Sequence, residues 1–147
     1  MSPPAAEAGL APLIELDGVR KSYNIGLPTE AEVLHGLSFG IGRGEFAALI
    51  GPSGSGKSTL LNIVGLLERM TAGSYRIDGE EVSGLDDAAL TRCRRTTLGF
   101  VFQFHHLLPA FSALENVTLP ALMREGRVSA AQDKRAREVL DAVGLSQ

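Results

Sequence analysis

A nine-residue glycine-rich loop between two apolar segments constrains this chain more than any other feature. Its sequence is Gly51-Pro52-Ser53-Gly54-Ser55-Gly56-Lys57-Ser58-Thr59. The apolar residues 46–50 before it and 60–64 after it predict the order strand, loop, helix. Glycines let backbone N–H groups turn inward around an anion, and a helix that begins near Lys57 directs its positive end there. The pattern therefore predicts a loop that holds phosphate groups.

The last positions of the loop indicate more closely which ligand it binds. The Lys57 ammonium adds a full positive charge, and the Ser58 hydroxyl would bind a Mg2+ ion that bridges the outer phosphates. A triphosphate fits this arrangement, so we expect the whole loop to bind a nucleotide. The alternative is a glycine-rich turn that matches by accident, and the apolar residues Leu60, Val64 and Leu67 at helical spacing argue against it.

Composition sets wide limits on the class of protein. With 147 residues, 44% of them hydrophobic, the chain can bury a core as one domain. A net charge of −3 gives no electrostatic signature for nucleic-acid binding beyond the nucleotide itself. The single cysteine, Cys93, cannot form an internal disulfide, and no Cys/His spacing resembles a metal site.

The N-terminal residues and the hydropathy pattern predict no direct insertion into a membrane. Residues 1–12 are expected to form a disordered leader; the first nine contain no basic residue and no long apolar core, so we do not expect a signal peptide. No apolar run approaches the roughly 18 residues that a bilayer crossing needs. We therefore expect no membrane insertion, so any membrane role would come through a partner.

Hydrophobic periodicity predicts alternating strands and helices, an α/β chain. Strands are expected over residues 13–19, from Leu37 onward, over the buried run 46–50, and over 75–77 and 81–82 around an Asp78-Gly79 turn. A helix is expected over residues 57–68, and a second one between Asp86, its N-cap, and Arg94. A further apolar strand of parallel type is expected over residues 98–102, ended by Gln103.

The remaining residues are helical in character. Ser112 and Ser129 each precede Glu or Gln by three residues, which is the spacing of a capping box at a helix start. Pro120 should kink or end the first of these helices. The second places Ala136, Leu140 and Val143 on one face, and Gly144 is a suitable terminator.

Beyond the loop, four further segments make residues 13–147 resemble the N-terminal part of an ATP-binding-cassette (ABC) transporter ATPase. These segments are Leu34-His35-Gly36-Leu37-Ser38, Gly44-Glu45, Phe100-Val101-Phe102-Gln103 and Leu114-Glu115-Asn116-Val117. The resemblance implies a P-loop NTPase fold with an antiparallel β subdomain, a strand-loop-helix core and the start of a helical subdomain. It also implies ATP and Mg2+ as cofactors.

Two residues outside the loop acquire roles from this resemblance. Tyr23 stands where the family has an aromatic residue that stacks on adenine; otherwise it would be an ordinary surface tyrosine. Gln103 matches the family glutamine that touches Mg2+ and the attacking water and couples the site to the membrane partner. Without the family, it would be only a polar residue at a strand end.

Residues 103–117 resemble most the lipoprotein-releasing (Lol-type) branch, and the macrolide-exporter and cell-division branches share most other motifs. This implies inner-membrane permease subunits and a second ATPase copy as partners, and a cytoplasmic location, peripheral on the inner membrane through the permease. His105 and His106 could suggest a metal or a general base, but loop packing or a partner contact explains them more simply. Met70 and Ser74 depart from the family only in a surface turn.

The family's signature sequence, Mg2+-binding aspartate, catalytic glutamate and switch histidine would all follow Gln147. Asp17, Asp78 and Asp141 do not end a long apolar run, so we assign no general base. We expect the full cassette to hydrolyse ATP as a head-to-tail dimer, with these residues supplying the phosphate-loop side. The alternatives are a kinase of a small substrate and a nucleotide-binding fragment without turnover. As structural requirements, Ile50 should lie in a sheet and the amides of residues 51–58 should converge. Without either, the nucleotide assignment would fail, and the lipoprotein-releasing branch with it.

Overall fold

A computed structural model describes residues 12–104 and 106–145, so most of the predicted leader and His105 lie outside the described residues. The chain divides between Phe100 and Val101 into two compact units, each treated separately below. The first unit contains, in order, β1 Ile14–Tyr23, β2 Ala31–Ile41, α1 Lys57–Val64, β3 Ala72–Ile77, β4 Glu80–Glu81 and α2 Asp87–Thr97. The second contains α3 Ala113–Glu125 and α4 Ala130–Ala142.

An antiparallel sheet of four strands, in the order β2-β1-β3-β4, forms the framework of the first unit. The long β1 pairs on one side with β2, from Ile14 opposite Ile41 to Tyr23 opposite Ala31. On its other side Ile14 lies opposite Ile77 of β3. This confirms the expected antiparallel subdomain, although β1 and β2 are longer than their hydropathy patterns indicated. Because Tyr23 still pairs with β2, the strand β1 extends to this residue.

The turn between β3 and β4 has the predicted form. Asp78 and Gly79 have φ of 54° and 79°, which is the left-handed region that a two-residue hairpin turn requires at both positions. The Asp-Gly dipeptide suits this turn because both residue types tolerate positive φ.

The core of the first unit lies between the sheet and the helices α1 and α2. It is formed by ten buried side chains: Leu16, Val19, Leu34, Leu60, Ile63, Leu66, Tyr75, Ile77, Val82 and Leu90. The Tyr75 hydroxyl donates to the Val64 carbonyl at 2.8 Å, at the end of α1. Burial raises the pKa of this phenol well above its usual range, so the hydroxyl remains a donor at neutral pH.

The first helix, α1, is shorter than predicted. It ends at Val64 instead of Glu68, because the next residues leave the helical conformation and Leu66 has a φ of 56°. The Arg94 guanidinium, from α2, donates to the Leu66 carbonyl and so holds this turn. The helix α2 begins after its predicted N-cap Asp86, whose carboxylate accepts from the Ala89 N–H, and continues to Thr97.

The two predicted apolar strands, residues 46–50 and 98–102, are wrong. Neither run belongs to a strand in the part of the chain that the structure describes. Phe46 and Ile50 are 95% and 89% exposed, where a buried strand was expected. A strand requires a neighbour that pairs with its N–H and C=O groups. None of the described strands pairs with these runs, so their apolar character alone does not produce a sheet.

In the second unit, both predicted capping boxes are present. The Ser112 N–H donates to Glu115 Oε2 at 2.7 Å, and the Ser129 N–H donates to Gln132 Oε1 at 2.8 Å. Pro120 does not end α3, which continues to Glu125. Ala136 is buried on α4, and Gly144, with a φ of 78°, follows its last turn. Among the described helices, none has the length and apolar character needed to cross a bilayer.

Candidate functional site

The glycine-rich loop leads directly into α1, whose N-terminus is left open. Gly54 and Gly56 have φ of 80° and 84°, and Gly56 is the N-cap of α1. No side chain caps this helix, and its first turn contains no acidic residue. The N–H groups of the first turn, with the positive end of the helix dipole, are therefore available to an anion.

The loop packs closely against the antiparallel sheet at Gly56. A Cβ atom at this position would lie 2.9 Å from Leu34 Cδ2 and 3.2 Å from the Val33 carbonyl oxygen, both in β2. The loop also closes on itself, since a Cβ atom at Gly51 would lie 2.9 Å from Ser55 Oγ. Gly56 is thus required by close contacts and by its positive φ, and the sheet fixes the position of the loop.

The Lys57 ammonium lies across the start of the loop. It donates to the Gly51 carbonyl at 2.7 Å and to the Pro52 carbonyl at 2.5 Å. Carbonyl groups are neutral acceptors, so an anionic oxygen placed here would compete well for the same ammonium. The arrangement puts a strongly hydrogen-bonding cation beside the open end of α1.

Tyr23 lies at the end of β1, next to α1. Its hydroxyl is 3.3 Å from Thr59 Oγ1, so the structure brings Tyr23 to the same end of α1 as the loop. The Lys21 ammonium lies over the Tyr23 ring, 4.9 Å from the centroid, and 3.0 Å from Glu68 Oε1. Partial burial alone would raise the pKa of Glu68, but hydrogen bonds from Tyr23 and Lys21 outweigh this effect and lower the pKa.

Sequence reasoning selected Tyr23 but missed Lys21 and Glu68. The side chains of a strand alternate between its two faces, so residues 21 and 23 of one strand share a side. That alternation, continued past residue 19, could have identified Lys21 as a neighbour of the Tyr23 ring. Glu68 could not have been found in this way, because a helix to residue 68 was expected and the chain leaves the helix before it.

The structure gives less information on the positions of the other candidate residues, Ser58, Gln103 and His106. Ser58, the second residue of α1, is exposed, so its hydroxyl is accessible to a ligand at the loop. Gln103 is exposed in the second unit, and its predicted role stays a prediction. The His106 ring lies 5.2 Å from the Phe102 ring. Within residues 12–104 and 106–145, no cluster of three or more His, Cys, Asp or Glu side chains could hold a metal ion.

The donor set at the loop fits a magnesium-bound phosphate ester. The open N–H groups of α1 and the Lys57 ammonium suit phosphate oxygens, and the Ser58 hydroxyl is a ligand of the type that Mg2+ accepts. The loop therefore has the chemistry to bind a polyphosphate.

Comparison with known protein families shows that residues 34–147 match the family model described as ABC transporter. The chain is 57% identical, over 138 residues, to the lipoprotein-releasing system ATP-binding protein LolD 1 of Rhodopseudomonas palustris, covering 94% of this chain and 61% of the relative. It is 53% identical, over 140 residues, to LolD of Anaeromyxobacter dehalogenans, covering 95% and 58%. The chain thus spans about three fifths of the length of these relatives.

A solved structure shows the same similarity in three dimensions. The dimeric post-hydrolysis state of the ATP-binding cassette MJ0796, bound to ADP and Pi, superposes with a TM-score of 0.79 at 42% sequence identity. The match covers 91% of this chain and 58% of that one.

Proposed function

Starting from the fact that this chain belongs to the ABC transporter family, we propose that it provides the phosphate-binding part of an ATP-binding subunit. One observation carries the proposal: the Lys57 ammonium and the uncapped N-terminus of α1 lie at the same loop, which is seated on β2 through Gly56. A polyphosphate is the ligand whose charge and size use all of these donors.

The residues of the loop divide the binding of ATP and Mg2+ between them. The N–H groups of residues 53–59 surround the phosphates, and Lys57 exchanges its carbonyl acceptors, Gly51 and Pro52, for a phosphate oxygen. The Ser58 hydroxyl would hold Mg2+, and this ion would supply charge neutralisation at the outer phosphates. Tyr23 offers its ring to adenine, supported by its contact with Thr59 at the start of α1. By the family resemblance, Gln103 would contact Mg2+ and the attacking water in the complete protein.

The complete protein, we propose, hydrolyses ATP to drive release of lipoproteins from the inner membrane. The support is that two relatives named as lipoprotein-releasing ATP-binding proteins are 57% and 53% identical to this chain. The pyoverdine export ATP-binding/permease protein PvdT of Pseudomonas fluorescens is 50% identical over 135 residues, which lies within the 48–57% range of the lipoprotein-releasing relatives. The two highest of these identities belong to lipoprotein-releasing proteins, and on that ground we propose this branch and not the exporter branch.

The same proposal sets the partners and the location. The complete protein binds permease subunits at the cytoplasmic side of the inner membrane. A second ATPase copy completes the ATP site. The dimeric state of the similar MJ0796 cassette supports the second copy.

Replacing Lys57 tests the phosphate site directly. The Lys57→Ala substitution removes a charge-assisted hydrogen bond worth about 1.5–3 kcal/mol, so ATP affinity should fall at least about tenfold in titration calorimetry. Lys134→Ala is the matched control, because this exposed lysine lies on α4 in the second unit, and it should leave the affinity unchanged. Equal ATP affinity in the Lys57 variant and the unsubstituted chain would refute the proposed site.

A further inference from the structure

We infer that Lys21 is a positioning residue for the nucleotide base: its ammonium covers one face of the Tyr23 ring and leaves the opposite face as the stacking surface. The inference rests on the proposed function, which assigns adenine to Tyr23. It adds a residue outside the phosphate loop to the site and explains which side of the tyrosine receives the base.

The Lys21 ammonium is held in place by three neighbours. It lies 4.9 Å from the Tyr23 ring centroid, 3.0 Å from Glu68 Oε1 and 2.7 Å from the Arg69 carbonyl oxygen. Its side chain is only 14% exposed, whereas lysine side chains usually extend into solvent. An ammonium has three donors, and here a carboxylate, a carbonyl and a ring face surround it. The cation is therefore fixed over the ring.

The Tyr23 ring is restrained at its other end by α1. The hydroxyl lies 3.3 Å from Thr59 Oγ1, and the Glu68 carboxylate that binds Lys21 belongs to the segment directly after that helix. Since the net effect of its partners is to lower the pKa of Glu68, this carboxylate stays charged at neutral pH and keeps its attraction for Lys21. The contact of the ring with Lys21 and the contacts of its hydroxyl with Thr59 and Glu68 thus restrain Tyr23.

A fixed ring lowers the cost of binding a planar base. A tyrosine that must be ordered on binding loses rotamer freedom at that moment, whereas a preorganised ring does not. A cation on one ring face also leaves only the opposite face for stacking. Lys21 should therefore affect ligands that carry a base and should leave a bare polyphosphate unaffected.

The test compares two ligands in each variant of the chain by titration calorimetry: ATP, and inorganic tripolyphosphate, which lacks the base. Lys21→Met keeps the length and apolar stem of the side chain and removes its charge. The ratio of ATP to tripolyphosphate affinity should fall about two- to fivefold, the size expected of one cation–π contact. Lys21→Arg should retain most of the ratio, and Lys134→Met, on α4, should retain all of it.

Both affinities in this ratio are measured on the same preparation of each variant. A smaller folded fraction therefore changes both affinities alike and leaves their ratio unchanged. An unchanged ratio in Lys21→Met, including one produced by equal losses for both ligands, would overturn the inference. The Tyr23→Ala variant distinguishes the adenine role of Tyr23 from the positioning role of Lys21. If Tyr23→Ala lowers the ratio and Lys21→Met does not, the adenine role of Tyr23 stands and the role of Lys21 is wrong. If Tyr23→Ala keeps the ratio, both roles are wrong.

Discussion

At the scale of single residues, Gly56 shows how a missing side chain positions the phosphate loop. Its φ of 84° favours glycine, and a Cβ atom there would meet Leu34 and Val33 of β2. Gly54, two residues earlier, has nearly the same φ of 80°, yet nothing lies within 4 Å of its Cβ position. A comparison of substitutions at these two glycines therefore separates the cost of backbone strain from the cost of close packing.

We expect Gly56→Ala to be more destabilising than Gly54→Ala. Both substitutions add the cost of a non-glycine residue at positive φ, of about 1 kcal/mol. Gly56→Ala adds overpacking against β2, so its free energy of unfolding should fall by about 1–3 kcal/mol more. Urea unfolding followed by circular dichroism measures the difference. Equal losses would show that the loop is not held on the sheet as described.

At the scale of elements, sequence patterns predicted those features that depend on neighbouring residues. The Asp78-Gly79 hairpin, the Asp86 N-cap and the capping boxes at Ser112 and Ser129 were confirmed, because each forms within a few residues of chain. The predicted end of α1, at Glu68, was wrong, because the helix ends at Val64. The apolar pattern continues to Leu67, but Leu66 is held in a left-handed turn by Arg94, 28 residues away.

The predicted strands failed for the same physical reason. Residues 46–50 have the apolar composition of a buried strand, but a strand is stabilised by its neighbours and not by composition alone. We required Ile50 to lie in a sheet, and it does not, so this requirement was wrong. The loop conformation does not depend on it, because Gly56 seats the loop on β2 and Lys57 begins α1.

The β3–β4 hairpin should show a specific acid dependence. Hydrogen bonds lower the pKa of Glu81 to about 2 from an ordinary 4.5; that from the Ser83 hydroxyl is the strongest, followed by those from the Tyr75 N–H and the Ser74 hydroxyl. Because the folded-state pKa is lowered, the stabilisation is present above about pH 4.5 and is lost as the pH falls toward 2. Exposure to solvent keeps the effect small, since Glu81 is 41% exposed.

Glu81→Gln should therefore flatten the dependence of unfolding free energy on pH between 4.5 and 2, measured by urea titrations across that range. The matched control is Glu80→Gln on the same strand, because the hydrogen bonds of this cluster all go to Glu81. A slope in Glu81→Gln as steep as in the control would contradict the assignment.

At the scale of the whole molecule, the chain contains one part of a family domain. It spans about three fifths of the length of its lipoprotein-releasing relatives, and its first unit combines the antiparallel sheet, the phosphate loop and Tyr23. The exposed apolar side chains of Phe46 and Ile50 lie immediately before the loop. We therefore expect nucleotide binding in the first unit.

We propose that the main-chain N–H groups of the loop bind the phosphates. A titration of the 15N-labelled chain with ATP and Mg2+, followed by amide chemical shifts in NMR spectra, tests this binding at the N–H groups themselves. We expect the largest changes on residues 53–59, with a further change at Tyr23. Saturable ATP binding that leaves the amides of residues 53–59 unshifted would contradict it.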